Sequence, residues 1–116
     1  MDQALSAAIE REVASWPGVT TALHSRGVGV QFHYGRVELG HLHGSSCADL
    51  PFPRKIRDEL IMAGRAAVHD PLPDSGWARR RMVDRQDALA IIELFRMNYD
   101  RATARAAQHA PPGGGG

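Results

Sequence analysis

The stretch VGVQFHYGRVELGHLH, residues 28 to 43, limits the fold more than any other part of the chain. Val28, Val30, Phe32 and Tyr34 alternate at a period of two, Gly35 and Arg36 suit a tight turn, and Val37, Leu39, His41 and His43 then alternate again. Successive side chains of a strand point to opposite faces, so this pattern predicts two strands joined by a short turn, each with one side against a core. Val19 to His24, also rich in β-branched residues, predicts a strand ahead of them and hence a three-stranded meander.

Helical spacing flanks the meander. Leu5, Ile9, Val13 and Trp16 form one stripe that Pro17 and Gly18 end. Gly44 to Pro53, GSSCADLPFP, is expected to be an ordered loop, because small polar residues favour turns and its two prolines remove ladder donors. Pro53 suits the first turn of a second helix whose stripe is Ile56, Leu60 and Ile61, ending at Gly64. Asp70 to Gly76 reads as a rigid turn, and Trp77 to Val83 as a fourth strand that Arg79, Arg80 and Arg81 suit to a solvated sheet edge. Asp84 and Asp87 predict an N-terminal capping box, followed by a stripe of Ala88, Ile92, Phe95, Tyr99 and Ala102. The expectation is one α+β domain over residues 1–104 and a flexible Ala/Pro/Gly-rich tail over 105–116. Its architecture is two-layered: a four-stranded antiparallel sheet with helices packed on one face, in the order α-β-β-β-α-β-α.

Composition narrows the function classes. A net charge of +1 over 116 residues supplies no field for nucleic acid or an anionic membrane. The single Cys47 excludes an internal disulfide and multi-cysteine metal sites, and fits a reducing compartment. Asp2, Glu10, Arg11 and Glu12 interrupt the segment where a signal peptide needs an apolar run, so the expected localisation is cytoplasmic. The glycines form neither GxGxxG nor a Walker loop.

The densest polar constellation is Glu38-Leu39-Gly40-His41-Leu42-His43, with Asp49 in the following segment and His69 and Asp74 around the later turn. On a regular strand His41 and His43 share a face about 7 Å apart. Two imidazoles so placed divide acid and base roles near neutral pH, and with His69 or a carboxylate they also resemble a metal ligand set. Structural alternatives stand beside these readings. The histidines can be backbone- or water-bonded strand residues, Asp49 and Asp74 turn caps, Trp77 a core seal, and Cys47 either a nucleophile paired with His43 or an inert thiol. The set carried forward is His41, His43, His69, Asp49 and Asp74 as catalytic and Glu38 and Trp77 as ligand-binding, with no metal and no cofactor.

The runs ELGHLHG at 38 to 44, ADLPFP at 48 to 53 and LPDSGW at 72 to 77 resemble the luciferase domain shared by fungal luciferases and many short bacterial proteins, a likeness covering roughly Trp16 to Ala102. The arginines at 79 to 81 depart from it, standing where a more apolar strand is expected. In the fungal enzymes the resemblance implies oxidation of a hydroxylated pyrone by O2 through a peroxide, without an established organic cofactor. Carried to this chain, it implies a planar aromatic or enolic ligand near the His-x-His face. His41 is then cast as base, His43 or His69 as stabiliser of the developing charge, Asp49 or Asp74 as the group orienting a ring, and Trp77 as the packing surface. The rival reading is a non-catalytic ligand-binding or interaction module meeting a protein partner at Arg79–Arg81.

Overall fold

The alternating segment folds as the two neighbouring strands its pattern predicts, in a computed structural model that describes residues 3–23, 29–69 and 73–108. The elements run α1 (Gln3–Ala14), β1 (Val19–Leu23), β2 (Val30–Tyr34), β3 (Val37–His43), β4 (Cys47–Pro51), α2 (Arg54–Met62), β5 (Ala67–Val68), β6 (Trp77–Arg81) and α3 (Arg85–Gln108). His24 and Val28, expected in strands, and Asp70 to Leu72 of the expected turn lie outside the described residues.

The antiparallel α+β class holds, but the sheet has six strands rather than four, in the order β1-β2-β3-β4-β6-β5. One added strand, β4, falls inside the segment expected to be a loop. Ala48 and Leu50 alternate into the core while Asp49 faces the other way, and Pro51 stands at the strand's last position, where a missing donor costs little. The other, β5, is two residues long and too short for any periodicity to announce.

The expected edge position of the arginine strand is also corrected. β6 lies between β4 and β5, and two of its three arginines are satisfied inside the fold. Arg80 bonds one oxygen of Asp87 through Nη2 at 2.7 Å, and Arg79 takes Asp49 on the opposite face. Arg81 alone of the three is exposed.

All three helices feed one core. Ile9 and Val13 of α1, Leu60 of α2, and Ile91, Leu94 and Phe95 of α3 meet Phe32, Leu42, Ala48, Leu50 and Ala78 of the sheet. Phe32 and Phe95 make an edge-to-face contact at 5.1 Å. The capping box forms as expected, with the Asp87 amide donating to Asp84 at 2.9 Å and the Asp84 amide returning to Asp87 at 3.3 Å. α3 continues to Gln108, four residues past the boundary expected at Ala104, because Arg105 to Gln108 contain good helix formers and no breaker. Residues 109–116 lie outside the described residues. No helix among the described residues is long and apolar enough to cross a membrane.

One irregularity positions the site. Phe32 pairs with Gly40 but His33 pairs with Glu38, so Leu39 is an extra residue in β3, a β-bulge. Past the bulge the ladder to β4 begins only at His41 opposite Asp49. Beyond that point the buried Asn98 side chain of α3 bridges the two strands, donating to the carbonyls of Leu39, at 3.0 Å, and Pro51, at 2.8 Å.

Candidate functional site

Cross-strand partners share a face, so the register alone assembles a polar row on the side of the sheet away from the helices. His41 is opposite Asp49 and Asp49 is opposite Arg79. Gln31 and His33, two apart on β2, are opposite His41 and Glu38 respectively, which puts Glu38 on that same face. A regular β3 would have sent Glu38 to the core side with Leu42; the bulge at Leu39 reverses it.

Asp49 is the hub. It has no exposure to solvent, yet Arg79 grips both of its oxygens, Nε to Oδ1 at 2.7 Å and Nη2 to Oδ2 at 2.9 Å. Three imidazoles close on Oδ2, with His43 Nε2 at 2.7 Å, His69 Nε2 at 3.2 Å and His41 Nε2 at 3.6 Å. His41 is held at its other nitrogen, Nδ1, by Glu38 Oε2 at 2.7 Å. The Trp77 ring lies tilted against His41 and His69, with centroids 5.4 and 5.9 Å away. His43 is the outermost imidazole, its side chain one-third exposed, whereas His41 and His69 are buried.

Burial disfavours the charged form of His41, but the interaction with Asp49 and the hydrogen bond to Glu38 outweigh it and raise its pKa to about 9. Burial likewise opposes the Asp49 carboxylate, and the Arg79 bonds and the His41 interaction overcome it, holding the carboxyl well below the usual carboxylate range. Burial pushes the Cys47 thiol up, which disfavours the nucleophile reading.

Six of the seven sequence-derived residues, Glu38, His41, His43, Asp49, His69 and Trp77, therefore meet on one face. Asp74 does not join them: it is exposed in the turn before β6 and makes no ion pair among the described residues. Arg79, which the sequence alone assigns to a solvated edge, is a further member of the cluster. Its signal, an arginine in register with a buried aspartate, is visible only once Cys47–Pro51 is known to be a strand. Asn98 carried no sequence signal at all. A groove of about 600 Å³ runs beside the cluster past Glu38, Phe52, Asn98, Arg101 and Arg105, and touches it only through Glu38.

The model of the Luciferase domain family matches residues 36–98. That span contains every residue of the cluster, the bulge and Asn98. No curated protein and no solved structure matches the chain.

Proposed function

The chain belongs to the luciferase-domain family, and from that premise we propose that it binds a planar, acidic organic molecule of the enol or pyrone kind on its polar sheet face and promotes that molecule's oxidation by O2. The observation that carries this reading is the convergence of three imidazoles and a guanidinium on one buried carboxylate. Such a cluster is expensive to bury and the fold has no need of it, since apolar residues of similar volume serve a sheet at least as well.

The arrangement supports a division of labour different from the one expected from sequence. With a pKa of about 9, His41 is charged near neutral pH and is suited to hold an enolate or a developing peroxide anion rather than to remove a proton. His43, the imidazole an arriving molecule meets first, then takes the enol proton. Trp77 offers a flat wall beside His41, and Glu38 and Asp49 act as positioning residues that fix the His41 ring. The interaction-module reading is less well supported, because Arg79 and Arg80 are engaged inside the fold.

The test combines thermal stability with an oxygen electrode. Hydroxylated pyrones and aromatic enols should stabilise the wild-type protein and drive O2 uptake, and His43→Ala should abolish uptake while remaining folded. If no compound of this class stabilises folded wild type, the reading is wrong.

A further inference from the structure

We propose that the same cluster is a binding site for one divalent first-row transition-metal ion, held by Nε2 of His41, Nε2 of His43 and Oδ2 of Asp49. The inference uses the residues of the reading above, and rests on that cluster being the working site, but does not depend on the identity of the organic ligand.

Four nitrogens crowd a single oxygen. His43, Arg79, His69 and His41 stand 2.7, 2.9, 3.2 and 3.6 Å from Asp49 Oδ2, whereas one carboxylate oxygen offers about two lone-pair sites. Three of these nitrogens are imidazole Nε2 atoms converging on one oxygen, and a cation among them takes their lone pairs in place of those hydrogen bonds. The spacing suits one: the ligand atoms of His41, His43 and Asp49 all lie within 4.8 Å of one another. The imidazole-to-oxygen separations of 2.7 to 3.6 Å bracket the roughly 3.3 Å between neighbouring ligands that tetrahedral bonds of about 2.0 Å imply.

The groups behind these atoms are those a metal site needs. Glu38 accepts from His41 Nδ1–H, so that when an incoming ion displaces the Nε2 proton the lone pair left behind faces inward. Arg79 holds Asp49 Oδ1 through Nε and one of the two lone-pair sites of Oδ2 through Nη2, which orients the carboxylate and leaves the other Oδ2 site for coordination. His69 adds a further imidazole at 3.2 Å from that oxygen, and its own Nδ1 is buried without a partner. Two histidines and one carboxylate on one side of an ion leave positions open toward the exposed side of His43. That donor set selects a divalent N/O-binding transition metal over calcium or magnesium.

Chelator-treated protein titrated anaerobically with Co(II) tests the assignment, read by visible absorption and by metal content per chain. Wild type should take up one Co(II) and develop absorption characteristic of nitrogen ligation. His41→Ala/His43→Ala should lose it, and Glu38→Gln should bind about 10- to 100-fold more weakly. If the double variant does not fold, His43→Ala alone, changed at the most accessible imidazole, must weaken binding at least about tenfold. Absence of stoichiometric uptake by folded wild type, or uptake undiminished in the folded variants, would overturn the site. The two readings fail separately. Stabilisation of the chelated protein by a pyrone without metal uptake sinks the metal and keeps the organic ligand; metal uptake without any organic stabilisation does the reverse.

Discussion

Replacing Asp49 by asparagine isolates the charge at the centre of the cluster. The side chain keeps its size, but one oxygen becomes an amide nitrogen, and both oxygens are in use: Oδ1 accepts from Arg79 Nε, and Oδ2 from Arg79 Nη2 and His43 Nε2. Whichever way the amide lies, at least one Arg79 bond is lost and N–H is set against N–H. Hydrogen bonds to charged groups contribute about 1.5–3 kcal/mol each, and breaking one partner of a buried ion pair costs about 3–5 kcal/mol because the other charge is stranded. The Arg79 guanidinium loses the carboxylate that it grips and a charged His41 keeps Glu38 but loses Asp49, so the expected loss is about 3–5 kcal/mol. At about 4 °C per kcal/mol for a domain of this size, the midpoint falls by roughly 12–20 °C. The assay is urea unfolding with chelator present, followed by far-UV circular dichroism and tryptophan fluorescence, so that no bound ion contributes. A loss below about 1 kcal/mol at unchanged m-value would refute the reasoning, since it would mean that the donors find other partners without strain.

Three further outcomes follow from other parts of the site. Because folded His41 has its pKa raised from 6.5 to about 9, its stabilisation is complete below pH 6.5 and is lost as pH rises through 9. Chelated wild type should therefore lose up to about 3 kcal/mol between those values, with His41→Gln flattening the slope in urea titrations at each pH. Asn98→Ala strands the Leu39 and Pro51 carbonyls and should cost about 2–4 kcal/mol by equilibrium unfolding, with faster amide exchange where β3 and β4 diverge. Gly76→Ala should block folding at 37 °C, as judged by circular dichroism, because an added Cβ would lie 1.9 Å from the Phe52 carbonyl oxygen.

The alternation of Val30 to His43 and the helical stripes around Ile9 and Phe95 were legible because each element buries a single face with the right period. β4 was not, because its cues conflict: Pro51 and the preceding GSSC argue for a loop, and only two core residues, Ala48 and Leu50, argue for a strand. The consequence reaches the site. With Cys47–Pro51 read as a loop, Asp49 had no register, Arg79 had no partner, and the arginines could be explained only as a solvated edge. The arginines at 79 and 80, standing where an apolar strand was expected, then have a physical account, since Arg79 neutralises Asp49 and Arg80 neutralises Asp87. Arg81 is exposed, and nothing in the structure explains its identity.

The histidines were found by their spacing, but their geometry depends on a feature that spacing cannot express. Period-two reasoning puts Glu38 on the face of Gly40 and Leu42, away from His41; the extra residue at Leu39 inverts that parity and brings Glu38 2.7 Å from His41. Gly40 is what permits the inversion. Its φ of +148° is one that L side chains rarely adopt, and a Cβ there would stand 2.9 Å from the Asp49 carbonyl oxygen and 2.8 Å from Phe95. The glycine within ELGHLHG therefore brings the backbones of β3 and β4 close beside Asp49 while it turns Glu38 toward the histidines. Any larger residue at position 40 should disturb the cluster and the core together, because its Cβ would meet Asp49's own backbone as well as the side chains of Phe95 and Leu50.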